Sequence, residues 1–494
     1  MVGGTRSHMV ATWVCLASLA AIAAVIGLSL GPVVAPRAVA EVEVAPAAQP
    51  GPDAAPADPA GGDRDQGPPD VVVVLTDDQP ARTLAGMPQV QRLLVERGTT
   101  FGNAMVPTSL CCPSRASLLT GQFAHDTGVW SNSRPTGGWW RFHEDGNEER
   151  TLATALAARG YRTGLVGKYF NSFANWSPEG YTPPGWDSFT SFRTTHRSGA
   201  YYDYRLSDGT EHGSTPGDYS TDVLAQRAVQ FLDSTPAGQP LFLYFAPYAP
   251  HAPYEPAERH RDTLRGDLTP YSSAAVTEDV SDKPAWVRAL DPVSSWRVRH
   301  VQHGQQESLL AVDDAVGAIV DSLERSGRLD NTLIVFMSDN GMLWGEHRVL
   351  FKSVPYDSAT RVPMVVRWDG LVPAGGVDDR LALNVDVTAT IASMTGATMD
   401  TAGASLLGPE WRDGFVLEAP PEPRLDRPAY CGWRSQRWTF VHYATGEEEL
   451  YDEVADPEEL TNLAGVSGYR GELAPFRAKA RAACDPTPPD FGWE

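Results

Sequence analysis

The chain has 494 residues, of which 42% are hydrophobic, 9% aromatic and 21% charged. This composition is typical of a globular protein and argues against a disordered, collagen-like or coiled-coil chain, and the length allows two or three domains. The 40 Lys and Arg residues against 62 Asp and Glu residues give a formal net charge of −22. A surface that acidic repels DNA and RNA, so we expect no nucleic-acid partner. A local cluster of basic residues in a cleft can still bind an anionic substrate.

Residues 1–40 have the pattern of an export signal. An apolar run over 9–30 is followed by an Ala-Val-Ala site at 38–40, which predicts cleavage before Glu41. The apolar run is also long enough for the alternative, a single uncleaved membrane anchor. We therefore expect an exported protein, secreted or at the cell surface, which contacts a membrane only if the N-terminal segment stays uncleaved.

The next segments predict a linker and then an α/β domain. Residues 41–69 are mostly Ala, Pro, Gly and Asp, which predicts a disordered linker. After it, short apolar runs alternate with amphipathic helical patterns, which predicts a large, mostly parallel sheet sandwiched by helices. The predicted strands are 70–75, 163–166, 241–245, 333–337 and 364–366, and the predicted helices are 87–97, 151–159, 222–232 and 305–325.

Polar residues of complementary kinds cluster near the carboxyl ends of these strands, where sheets of this type bind ligands. One acidic pair after a strand is more often a helix cap or a turn, but two such pairs favour a metal site. Three carboxylates and an amide suit Ca²⁺, with Mg²⁺ as the alternative, better than zinc. The oxygen ligands are Asp77, Asp78, Asp339 and Asn340, and the positive or proton-donating groups are Lys168, His251 and Lys352.

Residues 109–121 read Ser-Leu-Cys-Cys-Pro-Ser-Arg-Ala-Ser-Leu-Leu-Thr-Gly. Pro113 can start a helix that Gly121 ends. Cys111 then lies just before a helix N-terminus, whose partial positive charge favours an anion. Two adjacent cysteines are in general more often half-buried thiols than functional residues, and this is the alternative interpretation of cysteines 111 and 112.

This segment resembles the Cys-x-Pro-Ser-Arg signature of the type I sulfatases, formylglycine-dependent enzymes of the alkaline phosphatase superfamily. The resemblance runs in the family's order over residues 71–363 and is greatest to the N-acetylglucosamine-6-sulfatase and arylsulfatase branch. The family's modified cysteine matches Cys111, its metal ligands match Asp77, Asp78, Asp339 and Asn340, its sulfate-binding lysines match Lys168 and Lys352, and its active-site histidine matches His251.

The resemblance implies a sulfatase that hydrolyses the sulfate monoester of an aryl alcohol or a sugar. A formylglycine-generating enzyme would convert Cys111 to Cα-formylglycine, whose hydrate would also bind the metal and supply the nucleophile. Arg115 would hold the hydrate, and Lys168 and Lys352 would clamp the sulfate oxygens. His251 would protonate the leaving oxygen, alone or jointly with Lys352.

One position departs from the family pattern. Phe170 stands where many sulfatases carry a histidine that is thought to help release sulfate. Asn171 and His347 are the candidates to replace it. His347 is included among the substrate-binding candidates, with the alternative that it holds a loop at the rim of the site. His125, which follows the signature helix, is predicted to be structural.

Residues 70–425 are predicted to form the catalytic domain, and residues 426–494 a smaller C-terminal antiparallel-sheet subdomain. Strands at 438–443 and 449–451 form a predicted hairpin in the subdomain. Cys431 and Cys484 are predicted to form a disulfide, as expected in an exported chain, and two isolated thiols are the alternative.

The substrate stays open at this point. The segments 181–218 and 259–299 either line the substrate pocket or form ordinary surface loops. The acidity of the chain argues against a long polyanion such as heparan sulfate. Relatives with the same signature hydrolyse phosphonate monoesters or phosphodiesters, which is one alternative function. A non-catalytic sulfatase-like binding protein is the other, although the cysteine and the metal acids whose loss would mark it are all present.

Overall fold

The computed structural model describes residues 67–196, 199–264, 266, 271–410 and 412–493. All of them belong to one of the chain's two units, Pro56–Glu494. The predicted export segment and nearly all of the predicted linker lie outside the described residues. Among the helices in the described ranges, none is long and apolar enough to cross a membrane.

Strands and helices alternate along the described part of the chain. The strands are β1 (Asp70–Thr76), β2 (Thr99–Met105), β3 (Arg162–Gly167), β4 (Ser188–Thr190), β5 (Phe192–His196), β6 (Gly199–Leu206), β7 (Glu211–His212), β8 (Leu241–Ala246), β9 (Thr332–Ser338), β10 (Met364–Arg367), β11 (Gly376–Leu383), β12 (Phe415–Ala419), β13 (Tyr430–Arg434), β14 (Trp438–Tyr443) and β15 (Glu448–Asp452). The helices are α1 (Pro88–Val90), α2 (Cys111–Thr120), α3 (Ala124–Thr127), α4 (Gly138–Glu144), α5 (Leu152–Ala157), α6 (Phe173–Trp176), α7 (Ser220–Asp233), α8 (Ala285–Arg288), α9 (Ser295–Arg325), α10 (Asp357–Thr360), α11 (Asn384–Thr395) and α12 (Arg470–Ala483).

The largest sheet has eight strands in the order β11-β2-β10-β9-β1-β8-β3-β4. Its neighbouring strands run parallel, except that β10 is antiparallel to both β9 and β2. The predicted mostly parallel sheet is therefore confirmed. Three of its strands, β2, β4 and β11, are not among the predicted strands, because β2 and β11 are polar at several positions and β4 has only three residues.

The central strand β1 is buried on both faces. Val71, Val73 and Leu75 belong to the apolar cluster that contains residues of α2, α4, α5 and α11. Val72 and Val74 belong to the cluster that contains residues of α7 and α9. Successive side chains of a strand point to opposite faces, so a continuous apolar run is what a strand covered on both sides needs. The prediction of helices on both faces is confirmed.

Two predicted helices differ from the observed ones. α9 begins at Ser295 rather than at residue 305. The prediction missed its first turns because they are largely exposed and contain only two buried apolar residues, Val298 and Val301. The predicted helix over 87–97 is interrupted: α1 is short and continues as a π-helical turn at Gln91–Val95. Periodicity alone does not reveal either feature.

The C-terminal part contains a four-stranded antiparallel sheet in the order β12-β13-β14-β15. The predicted hairpin corresponds to β14 and β15, and the predicted disulfide between Cys431 and Cys484 is present. β12 precedes residue 426, so this sheet draws on both segments that the sequence analysis separates. A three-stranded sheet, β5-β6-β7, lies within the segment 181–218.

A buried ionic network joins α10 to the C-terminal sheet. Arg434 of β13 pairs with Asp357 of α10 at 3.1 Å and with Glu453 at 2.7 Å. The backbone N–H of Asp357 donates to Glu459 at 2.8 Å. Burial, reinforced by the negative charge of Asp357, raises the pKa of Glu453 to about 7. Burial and the neighbouring Glu453 raise the pKa of Glu459 well above its usual range.

We expect this network to make the protein less stable as the pH rises towards and through 7. The folded chain binds a proton on Glu453 that the unfolded chain releases at lower pH, so the free energy of unfolding falls between about pH 4.5 and about pH 7. Glu453→Gln stays neutral and should reduce that fall by about 1–3 kcal/mol. Denaturant unfolding of the wild type and of Glu453→Gln at several pH values measures how the free energy of unfolding falls with pH. Parallel pH profiles of the two proteins would show that Glu453 does not cause the fall.

Candidate active site

The predicted acidic pairs and the first predicted lysine meet at one edge of the large sheet. Residues 77–78 follow β1, residues 339–340 follow β9, and Lys168 follows β3. The backbone N–H of Asp339 donates to the carbonyl of Thr76 at 3.0 Å, which extends the pairing of β1 and β9 to the site. These side chains therefore emerge together at the carboxyl ends of parallel strands.

Cys111 is the first residue of α2 and is fully buried. Its Sγ lies 3.5 Å from an Asp77 carboxylate oxygen and 2.8 Å from Lys352 Nζ. The sequence analysis places Cys111 just before the helix. The structure begins the helix at Cys111, because Leu110 is extended and its carbonyl accepts the first helical hydrogen bond, from the N–H of Ser114, at 3.0 Å.

Arg115 lies one helical turn after Cys111, on the same face of α2. Its Nε donates to Asp339 at 2.8 Å, and its Nη1 donates to the Lys168 carbonyl at 2.9 Å. Nη2 lies 3.6 Å from Asp77. The side chain has no exposed surface, so this guanidinium links α2 to the ends of three strands.

The two lysines each contact one of the acids that are predicted to bind the metal. Lys168 Nζ contacts Asp77, and Lys352 Nζ contacts Asp78. Burial alone would lower the pKa of each ammonium group, but the adjacent carboxylate outweighs it and raises the pKa of both. Burial opposes ionisation of Asp77, yet the surrounding positive charges hold its pKa well below the usual range. Burial raises the pKa of the Cys111 thiol, which is therefore protonated at neutral pH.

His251 lies at the open side of the site. Its side chain is 25% exposed, and its Nε2 is 3.7 Å from an Asp78 oxygen. Its Nδ1 is 2.8 Å from the carbonyl of Ala252. Burial of the ring lowers the pKa of His251. The predicted proton donor is thus more exposed to solvent than Lys168 and Lys352, whose side chains are 8% and 4% exposed.

The acidic residues fit a hard divalent cation. Ligand atoms of Asp77, Asp78, Cys111 and Asp339 all lie within 4.8 Å of one another. The Nδ2 of Asn340 donates to Asp78 at 2.8 Å, whereas its buried Oδ1 has no hydrogen-bond partner among the described residues. A buried oxygen without a donor is costly, and a cation between these residues would satisfy it. Oxygen ligands of this kind are those that Ca²⁺ and Mg²⁺ prefer.

The structure adds three residues that the sequence analysis did not select. Gln305 donates to the backbone carbonyl of Asp78 at 2.9 Å. The Oδ1 of Asn132 accepts the N–H of Cys112 at 2.9 Å, and the Tyr248 ring lies 4.8 Å from the His251 ring. Gln305 interrupts the apolar face of α9, which is the signal that would have identified it. Asn132 and Tyr248 lie in loops, where periodicity gives no signal.

The position that departs from the family pattern is part of the core. Phe170 is buried, and its ring stacks on that of Phe142 at 4.4 Å. The next residue, Asn171, accepts a hydrogen bond from the Cys112 thiol at 3.4 Å, so it lies beside the signature. Its role in sulfate release stays a prediction.

The two other histidines that the sequence analysis names, His347 and His125, contact residues outside the cluster. His347 Nδ1 is 2.5 Å from a Glu278 oxygen, and its ring stacks on Tyr356 at 4.0 Å. These contacts hold the loop that carries it, and its predicted role toward substrate stays a prediction. His125 Nδ1 is 2.8 Å from Glu418 of β12, a contact between the segment after α2 and the C-terminal sheet.

This arrangement of buried acids and cations around a helix N-terminus is that of an enzyme site for an anionic ester. A family model described as Sulfatase matches residues 69–397, more than half of the chain. A second, described as N-sulphoglucosamine sulphohydrolase, C-terminal, matches residues 345–479. The chain belongs to the sulfatase family and is a sulfuric ester hydrolase, which sets aside the binding-protein alternative.

Named relatives agree with the branch that the signature resembles. An arylsulfatase of Volvox carteri is 30% identical over 470 residues, covering 80% of this chain and 71% of the relative. An N-acetylglucosamine-6-sulfatase of Homo sapiens is 29% identical over 451 residues, covering 80% of this chain and 81% of the relative.

Solved structures share the fold. A protein in complex with its substrate D-glucosamine-2-N,6-O-disulfate has a TM-score of 0.74 and 23% identity, covering 84% of this chain and 97% of that one. A phosphonate monoester hydrolase of Agrobacterium radiobacter has a TM-score of 0.68 and 20% identity, covering 84% of this chain and 95% of that one. The predicted α/β fold with its C-terminal antiparallel sheet is confirmed.

Arg115→Met should destabilise the protein strongly. The substitution removes the buried cation that Asp339 and Asp77 share, and breaking a buried ion pair costs about 3–5 kcal/mol of unfolding free energy. Arg141→Met is the matched control, because Arg141 pairs with Asp145 at 2.7 Å on the surface of α4, with 39% and 27% of the side chains exposed. Such a pair contributes about 0.5 kcal/mol. Denaturant unfolding compares the variants, and equal losses would refute the role of Arg115.

Proposed function

We propose that this sulfatase acts through Cα-formylglycine formed from Cys111, together with a bound Ca²⁺. The position of Cys111 carries the proposal. The side chain starts a helix, contacts Asp77 and Lys352, and lies within the group of metal-binding acids. A protonated, fully buried thiol is a poor nucleophile toward sulfur, whereas the formylglycine hydrate supplies an oxygen nucleophile at the same place.

Asp77, Asp78, Asp339 and the Oδ1 of Asn340 would hold the cation, with the modified residue 111 as a further ligand. Bound there, Ca²⁺ would supply Lewis-acid chemistry, which would favour an ionised hydroxyl and polarise a sulfate oxygen. In this proposal Arg115 orients residue 111 through its fixed contacts with Asp339 and the Lys168 carbonyl.

Lys168 and Lys352 bind the sulfate group in this proposal. Both ammonium groups are nearly buried and lie beside Cys111 or Asp77. The three cationic side chains Arg115, Lys168 and Lys352 balance the three site carboxylates in charge. An added divalent cation then leaves the site positive, which favours a singly charged sulfate monoester.

In this proposal His251 acts in its protonated form, in which Nε2 carries a proton, and donates that proton to the leaving alcohol oxygen, alone or together with Lys352. It is the exposed member of the cluster, and its Nδ1 contacts the backbone carbonyl of Ala252, which orients Nε2 toward Asp78 and the open side of the site. A leaving group that extends toward solvent therefore passes His251.

The substrate class that we propose is a sulfated sugar, with aryl sulfates as simple substrates of the same site. Relatives named N-acetylglucosamine-6-sulfatase and arylsulfatase support this choice. We propose in addition that the protein is exported and matured by a formylglycine-generating enzyme. The signal-like N-terminus and the Cys431–Cys484 disulfide support export, because disulfides persist in oxidising compartments.

Phosphonate monoester hydrolysis is the second candidate. A solved structure with this name shares the fold, and a phosphonate monoester or phosphate diester carries the same single negative charge as a sulfate monoester. The charges of the site therefore do not discriminate between these substrates. A direct comparison of the hydrolysis rates of a sulfate and a phosphonate ester does.

Cys111→Ala should abolish turnover. The substitution removes the nucleophile, and we expect kcat/KM for 4-nitrophenyl sulfate to fall by at least about 10³-fold. Cys112→Ala is the matched control, because it removes the neighbouring buried thiol and should retain activity within about tenfold of wild type. Peptide mass analysis verifies formylglycine at residue 111 before the assay.

The same assay with an aryl phosphonate monoester tests the choice of substrate. A kcat/KM higher for the phosphonate than for the sulfate would replace the proposed substrate class while keeping the site. Activity retained in Cys111→Ala would overturn the mechanism itself.

Calcium should stabilise the folded protein and support turnover. Binding to the folded state alone adds about 2.7 kcal/mol at a Ca²⁺ concentration of 100 times Kd. Asn340→Ala removes the unpartnered oxygen and should weaken Ca²⁺ binding, whereas Asn331→Ala, at the opposite end of β9, should not. Titration calorimetry and thermal unfolding with Ca²⁺, Mg²⁺ or a chelator measure the effect. An unchanged Kd in Asn340→Ala would remove this residue from the metal site.

A further inference from the structure

A cavity of about 540 Å³ lies between the loop after His251 and the first turns of α9. Four of its residues belong to the segment 259–299, which the sequence analysis considers for the substrate pocket. Its lining includes the side chains of Tyr254, Arg261, Trp296, Arg299, His300 and His303.

Contacts connect this cavity to the metal-binding acids. The hydroxyl of Tyr254 lies 3.9 Å from the sulfur of Met342. The Nε2 of Gln305 lies 3.4 Å from the same sulfur and donates to the carbonyl of Asp78 at 2.9 Å. A chain of contacts through Met342 and Gln305 therefore links Tyr254, in the cavity lining, to the backbone of Asp78.

Gly304 brings α9 close to the loop that carries His251. A Cβ at this position would lie 2.6 Å from both the Cβ and the carbonyl oxygen of Tyr254, so no other residue fits without a shift. The aromatic and basic residues of α9 that line the cavity stand at positions 296, 299, 300 and 303. This i, i+3, i+4, i+7 spacing places them on one face of the helix.

Trp296 provides a flat aromatic surface at the cavity. The residue is 65% exposed, although large aromatic residues are mostly buried in globular proteins. Its ring stacks on that of His300 with centroids 5.5 Å apart and an interplanar angle of 5°. The electron-rich face of such a ring attracts the partly positive C–H groups of a pyranose ring.

The polar groups around Trp296 suit an uncharged sugar better than a second sulfate. Arg299 and His303 can donate hydrogen bonds to hydroxyl groups, and Glu255 and Glu307 can accept them. Arg261 is 3.5 Å from Glu255, which offsets part of its charge. The carboxylates would repel a sulfate group bound at this place.

We propose that this cavity is a subsite for an uncharged sugar unit that is linked to the sulfated unit at the reaction centre, with Trp296 as its stacking surface. The proposal rests on the proposed function and narrows its substrate class to sulfated oligosaccharides. The sulfated unit would occupy the site at Lys168 and Lys352, and the chain of sugars would leave past His251 and Tyr254.

The test compares three substrates on the full enzyme with formylglycine at residue 111. They are 4-nitrophenyl sulfate, N-acetylglucosamine 6-sulfate, and a disaccharide with that sulfated sugar at its non-reducing end. For Trp296→Ala we expect the KM of the disaccharide to rise about tenfold while its kcat holds, so that its kcat/KM falls tenfold relative to that of the monosaccharide.

Two further variants control for structural damage. Trp296→Phe keeps an aromatic face and should restore most of the lost affinity. Val454→Ala alters another exposed apolar side chain, 74% exposed and in the C-terminal subdomain, and serves as the reference for a surface substitution. Unchanged disaccharide kinetics in Trp296→Ala, or an equal loss on all three substrates, would overturn the subsite.

A binding measurement separates this proposal from the proposed function. Titration of Cys111→Ala with the unsulfated disaccharide chitobiose should change tryptophan fluorescence, and the change should disappear when Trp296→Ala is added. If no sulfate ester is hydrolysed by the wild type, the proposed function has failed, while the titration still decides the subsite. No response in the titration would count against the subsite whatever the rates.

Discussion

The burial of six ionisable side chains at one edge of the large sheet is the constraint on which the rest of the structure depends. Moving one isolated charge from water into a protein interior costs several kcal/mol, and removing one partner of a buried pair is costly for the same reason. Each charge must therefore be placed by backbone that cannot easily shift. The side chains are Asp77, Asp78, Asp339, Arg115, Lys168 and Lys352, all at most 7% exposed.

The register of the parallel strands supplies that placement. Thr76 of β1 pairs with Ser338 of β9, so that residues 77 and 339 follow side by side. A slip of one residue would turn every side chain of β1 to the opposite face and separate the carboxylates from Arg115. The apolar runs of these strands bury both faces and thereby hold the register. The site therefore depends on the core, because the free energy of packing offsets the cost of burying the charges.

The parts of this structure that the sequence predicts are those with local patterns. The apolar run at 70–75, the Cys-x-Pro-Ser-Arg signature and the ordered acids and lysines led to the sheet and to the residues that the structure brings together. The first turns of α9 escaped prediction because their residues are exposed and polar. Asn132 and Tyr248 escaped because they lie in loops and their importance arises from neighbours distant in the chain, whereas Gln305 left a signal as a polar residue on the apolar face of α9.

The net charge of the chain repels an anionic substrate, whereas the lysines of the site attract it. The two effects act over different distances. A formal net charge of −22 acts over the surface and repels a long polyanion along its entire length. The buried lysines act at contact distance, where salt screens little. A short substrate with a single sulfate therefore experiences mainly the local attraction, whereas a densely sulfated polymer experiences mainly the surface repulsion. A distal subsite that combines Trp296 with both basic and acidic side chains is consistent with this selection, since it recognises sugar without requiring further negative charge.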